Sequence, residues 1–254
     1  MERGMALTKY ADGNMHPGLV QHQHPAQHRF PVWWTGDGVD LEASVESMVD
    51  SGLYDFKPYV HSDCGGDYHP KTGGDLLRWT GHCTFGSIFR YHGSDHRPWT
   101  YDNHTEDVIR AYLNMRYKHL PSLIAAGHNA AQTAFPIVAR CDFYWNAAEA
   151  TSNHQYIFLN DTLVAPIWNN DSAHDGVNVS SRSVWVPPGS WTDAWTGAAV
   201  SGPKTVTVSQ PVERMPLWHK AGGLTILASE PTLRVDEQDW TELTLGAFFD
   251  MDFD

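Results

Sequence analysis

Three short blocks of this 254-residue chain carry side chains that could act on a substrate. Arg29-Phe-Pro-Val-Trp-Trp-Thr-Gly-Asp37 ends an extended run with a carboxylate beside two Trp. An apolar wall disfavours the charged form of a carboxyl and raises its pKa, as a general acid needs. Taken alone, Asp37 reads more readily as a turn residue that caps the next helix. His61-Ser-Asp63-Cys-Gly-Gly66 places a second carboxylate at a strand end, with a Gly pair able to take positive φ. Arg90-Tyr-His92-Gly adds an imidazole. Glycoside cleavage needs paired carboxylates, one as acid and one as nucleophile or base. Neutral sugars also need hydrogen-bonding Asp, His and Lys or Arg, with aromatic walls. The three blocks supply such a set.

The elements that must hold these blocks follow a repeating order. Residues 5–8 read as a short buried strand, followed by a His-, Pro- and Gln-rich loop over 14–28. Residues 29–34 are extended. From Asp40 to Gly52, Leu41, Val45, Met48 and Val49 share one helical face. Tyr54–His61 reads as a strand, and Asp75 as the cap of a helix beginning Leu76-Leu-Arg-Trp79. Ser87–Tyr91 reads as another strand. A long helix is expected from Asp107 to about Thr133, kinked at Pro121. Strand, polar loop and helix in alternation predict a parallel α/β layer, whose strand ends form the active-site face of a (β/α) barrel. After about residue 150, short β-rich runs separated by Pro-Pro-Gly-Ser, Thr-Gly-Ala and Gly-Gly turns predict an antiparallel β-sandwich. The expected division is 1–152 and 153–254.

Composition narrows the function. Asp and Glu number 30 against 17 Lys and Arg, a net charge of −13. That disfavours sequence-independent binding to a phosphate backbone. No apolar run is long enough to span a membrane. Three Cys, at 64, 83 and 141, without C-x-x-C spacing argue against a disulfide framework and a Cys-based zinc site. Eleven Trp suit sugar faces and also ordinary packing. The five at 168, 185, 191, 195 and 218 are expected to pack the second domain against the barrel.

Read as an ordered series, the blocks resemble glycoside hydrolase family 31, the α-glucosidases and α-xylosidases. The series is Leu7-Thr-Lys-Tyr10, the Asp37 block, the Asp63 block, Leu77-Arg-Trp79 leading to Phe89-Arg-Tyr-His92, Met115-Arg-Tyr-Lys-His-Leu-Pro121 and Asp161-Thr-Leu-Val-Ala-Pro166. Val186-Pro-Pro-Gly-Ser-Trp191 and Pro216-Leu-Trp-His-Lys-Ala-Gly-Gly223 complete it. The resemblance implies that Asp37 is the general acid/base and that Trp34, Asp63 and His92 hold the sugar. Lys9 stands where the family has a sugar-contacting Arg, and it lacks the planar guanidinium fork. Asp67 replaces an aromatic common after the Gly pair.

The family's nucleophilic Asp lies upstream of the Lys9 block, so it is expected outside this chain, together with the first half of the barrel. The implied reaction is retaining hydrolysis of a terminal α-linked glucosyl or similar residue of an oligosaccharide. The chain alone is expected to be inactive. The resemblance implies an oligosaccharide substrate and no metal; no cofactor is expected, and charge and hydropathy speak against a nucleic-acid or membrane partner. Two alternatives stay open: a sugar-binding or scaffold protein without catalysis, and a transglycosylase or lyase of the same family. His16, His22, His24 and His28 could hold zinc through imidazole, but the loop reads first as solvated. N-x-[ST] sequons occur at Asn103, Asn160, Asn170 and Asn178. Localisation is not legible.

Overall fold

The computed structural model describes residues 32–37, 40–54, 57–66, 72–93, 96–168 and 179–247. The expected strand at 5–8, Lys9, Asp67 and the His-rich loop lie outside them.

Two short strands begin the described chain: β1 (Val32–Trp34) and β2 (Tyr59–His61). They pair in parallel, with Trp33 opposite Val60 and Trp34 opposite His61. Helix α1 (Leu41–Tyr54) connects them. Asp40 starts it by accepting the backbone N–H of Ala43 at 2.7 Å. The expected apolar face is present, with Leu41, Val45, Met48 and Val49 all buried in one core with Trp33 and Val60. A parallel strand pair joined by a helix matches the α/β reading.

Four expectations in this half change. Helix α2 spans Gly73–Thr84, and its cap is Thr72. Asp75 sits three residues on and completes a reciprocal capping box with Thr72. Ser87–Tyr91 is no regular strand. Among the described residues it forms one parallel bridge, Cys64 with Tyr91, through Cys64 N–H to Arg90 O and His92 N–H to Cys64 O, both 3.1 Å. The long helix is two helices, α3 (Asn103–Lys118) and α4 (Leu120–Thr133), parted at His119. Pro121 lies in the first turn of α4, where its missing N–H costs nothing, so it starts a helix instead of kinking one. Finally, Cys64 and Cys83 form a disulfide, which ties the loop after β2 to the end of α2. Cys141 is free and buried.

The second half is built on a six-stranded sheet of order β3-β4-β5-β8-β6-β7. Its strands are Val138–Ala139, Tyr156–Phe158, Thr162–Val164, Leu217–Lys220, Val179–Asp193 and Ala199–Pro211, in that spatial order, and all pairings are antiparallel. β3 thus enters this sheet upstream of residue 153. A separate hairpin joins β9 (Leu224–Ala228) to β10 (Leu243–Ala247). The Pro-Pro-Gly-Ser signal at 187–190 does not end a strand. It lies inside β6, where the register with β7 shifts between Val186 and Gly189, and Gly189 takes φ +113. An extra residue in a long strand bends the ribbon without stopping it.

Alternation along the sheet gives it two buried faces. Tyr156, Phe158, Val164 and Leu217 join the core that contains α1 and α2. Ile157, Leu163 and Trp218 join a second core with Val184, Val186, Trp185 and Trp191. Three of the five second-half Trp therefore pack inside the sheet's own core. Trp168 and Trp195 alone lie against the helical layer, Trp195 edge-on to Tyr112.

Candidate active site

Parallel pairing brings the ends of β1 and β2 to one side. Trp34 and His61 are register partners, so their side chains emerge together. Two residues beyond His61 the chain turns through Asp63, Cys64, Gly65 and Gly66, closed by Gly66 N–H to Asp63 O at 2.8 Å. Gly65 and Gly66 take φ +93 and +79, as the turn requires. Against Gly65 lies the ring of His96, which leaves no room for a Cβ.

Asp63 is the centre of the arrangement and is fully buried. Its Oδ1 accepts the Trp34 indole N–H at 2.9 Å and the Arg90 Nη2–H at 2.9 Å. Arg90 also donates from Nε to His61 Nε2 at 3.1 Å. One guanidinium thus spans a carboxylate and an imidazole. Burial pushes His61 down to about 4, with Arg90 adding to the effect and Asp63 opposing it. His61 is therefore neutral at pH 7. His92 brings Nδ1 to 3.5 Å from Asp63 Oδ2, and its ring is tilted against Trp34 with centroids 6.4 Å apart. Asp63 Oδ2 accepts no hydrogen bond from the described residues. The His92 side chain is 30% exposed and Arg90 45%, so the cluster opens to solvent on that side.

Trp34, Asp63 and His92 are thus brought together. Asp37 follows Gly36, which takes φ +92, and is exposed. Lys9 lies outside the described residues. Arg90 and His61 were not singled out from the sequence. The available signal was spacing: Arg90 and His92, like His61 and Asp63, are two apart on extended chain and so share a side. A cavity of about 670 Å³ opens beside Arg90, lined mainly by Phe89, Tyr91, Trp99, Leu113 and Tyr117. Trp34, Asp63 and His92 do not line it, so it is neighbouring space.

Strand-end carboxylate, imidazole, guanidinium and indole thus gather on a parallel α/β layer backed by an antiparallel sheet. The Glycosyl hydrolases family 31 TIM-barrel domain matches residues 14–126, and the Glycosyl hydrolase family 31 C-terminal domain matches residues 135–225. The chain belongs to glycoside hydrolase family 31. Alpha-glucosidase 2 of Bacillus thermoamyloliquefaciens is 27% identical over 209 residues, covering 78% of this chain and 26% of the relative. The alpha-xylosidase of Saccharolobus solfataricus is 24% identical over 235 residues, covering 87% and 31%. The fold resembles that of a Flavobacterium johnsoniae dextranase solved with isomaltotriose, with a TM-score of 0.75 at 22% identity over 87% of this chain and 29% of that one. The chain spans about a quarter to a third of the length of these relatives.

Proposed function

We propose that this chain supplies the acid/base and the sugar-holding residues of a retaining α-glycosidase acting on terminal α-linked glucosyl or similar residues. Asp37 protonates the leaving oxygen and then activates water. Asp63, His92 and Trp34 hold the glycosyl unit, with Lys9 as a further donor. The nucleophilic carboxylate and the remaining barrel strands come from sequence beyond this chain. The observation that carries the reading is Asp63: a buried carboxylate, fixed on one oxygen by Trp34 and Arg90, with its other oxygen left for a ligand hydroxyl beside His92. A hydroxyl has a donor for that oxygen and lone pairs for a ring N–H.

The test has two parts. The purified chain is assayed with an aryl α-glucoside, and no turnover is expected. Hydrolysis abolished by Asp37→Asn overturns the assignment of the nucleophile to another segment. Titration with glucose or isomaltose, followed by tryptophan fluorescence, then asks whether the cluster holds sugar. Binding that is unchanged in Asp63→Asn and His92→Ala removes the sugar-holding role.

A further inference from the structure

Away from the Asp63 cluster, one imidazole and two carboxylates converge. Glu42 and Glu46 are one turn apart on α1, so they project from one face. His154 lies just before β4. Its Nε2 is 2.6 Å from Glu46 Oε1 and 3.7 Å from Glu42 Oε1, and the three donor atoms all lie within 4.8 Å of one another. We infer that Glu42, Glu46 and His154 form a binding site for a divalent transition-metal ion of the zinc type, which clips α1 to the segment entering the six-stranded sheet.

Distance supports this. Zinc bonds of about 2.0–2.2 Å set neighbouring donors roughly 3.3 Å apart around a tetrahedral ion. The two separations from Nε2 fall on either side of that value, so small side-chain adjustments suffice. Donor chemistry agrees: one nitrogen with two carboxylate oxygens suits zinc, whereas magnesium prefers an all-oxygen octahedron. The fourth position falls to water.

The ligands are also positioned. The His154 ring stands edge-on to Trp168, with centroids 4.8 Å apart. Its backbone carbonyl accepts Arg182 Nη1–H at 3.0 Å. Arg182 donates to Pro166 O as well and lies over the Trp168 ring at 4.5 Å. Arg182 also senses the charge of Glu42. One such cation against two carboxylates leaves a negative charge for the metal to meet. The side chains of His154, Glu46 and Glu42 are 34%, 38% and 46% exposed, so an ion has a way in. Binding replaces the hydrogen bond between Nε2 and Glu46 Oε1, leaving both atoms to the metal.

The test uses the 254-residue chain with His16, His22, His24 and His28 changed to Asn, so that the N-terminal loop contributes no imidazole. Zinc chloride is titrated by calorimetry, with magnesium chloride as the control. One zinc per chain is expected, with a rise in Tm. His154→Gln and Glu46→Gln should each weaken zinc binding tenfold or more, while circular dichroism of the metal-free variants stays unchanged. Glu42→Gln serves as a third variant should either of these fail to fold. Zinc X-ray absorption should show mixed nitrogen and oxygen ligation. Absence of a saturable one-to-one site, a loss below tenfold in the folded variants, or equal binding of magnesium overturns the inference.

Discussion

The indole Nε1 of Trp34 donates to Oδ1 of Asp63 across 2.9 Å, so the ends of two neighbouring strands are joined through the site itself. The proposed ligand contact and fold stability therefore meet at one carboxylate. Hydrogen bonds to a charged group are worth about 1.5–3 kcal/mol each. Arg90 is half-exposed, which lowers its share. Asp63→Asn should cost about 1–3 kcal/mol in urea unfolding and weaken sugar binding. Trp34→Phe keeps a ring but removes the donor, and should cost about 1 kcal/mol. Equal stability of Asp63→Asn and the parent chain would contradict this picture.

The acid/base role proposed for Asp37 has a kinetic signature. In a protein that pairs this chain with the proposed nucleophile-bearing strands, Asp37→Asn should lower kcat on a natural disaccharide by about 10²–10⁴. The loss should be smaller on an aryl glycoside whose leaving group needs no proton. A uniform loss across both substrates points to a folding defect.

Two buried imidazoles and a half-buried one make the chain acid-sensitive. Burial pushes His61 and His219 down to about 4 and His82 down to about 3. Between these values and the unfolded pKa of about 6.5, the unfolded chain binds protons that the folded chain does not. Their contribution is complete above about pH 6.5 and is lost as pH falls toward 4. The urea midpoint should drop steadily across that window. His82→Phe keeps a ring against Tyr156 and should flatten the slope by about one proton; an unaltered slope would remove His82 from the account.

Arg116 is buried and donates to the carbonyls of Thr84 at 3.1 Å, of Ser87 at 2.8 Å and of Gly86. It satisfies the end of α2 and the start of the segment that carries Arg90 and His92. Arg116→Met strands three carbonyls and should cost about 3 kcal/mol or more, checked by chemical denaturation. Hydrogen exchange should rise over residues 84–92. Exchange rising evenly along the chain would argue against a local anchor.

The Cys64–Cys83 bridge can be counted chemically. Cys141 is buried, which pushes its thiol up to about 12, so the folded chain should not react with a thiol reagent at pH 8. Unfolding without reductant should release one thiol. Three thiols would mean that the bridge is absent.

Local signals carried much of this fold. The spacing of Leu41, Val45, Met48 and Val49 predicts α1, because one helical face reads directly from the chain. Ser87–Tyr91 misleads because its apolar content is that of a strand, while its pairing depends on a distant partner, Cys64. The Pro-Pro-Gly-Ser bulge misleads for a related reason: turn residues also serve inside long ribbons. The bridge between Cys64 and Cys83 spans 19 positions and leaves no local signature. At the site, Asp63 was legible as a strand-end carboxylate and His92 as an imidazole in a neighbouring loop, while Trp34 was named through the family resemblance. Arg90 was overlooked because an Arg beside an aromatic resembles ordinary surface chain, and only the fold shows that it bridges His61 and Asp63.

The sheet with two buried faces has a last consequence. Tyr156 and Phe158 seal one core, and Ile157 between them seals the other. Neither core has a wall of its own. Melting either half exposes both, so the chain should lose its structure in a single step, and a cavity opened on one side should weaken packing on the other.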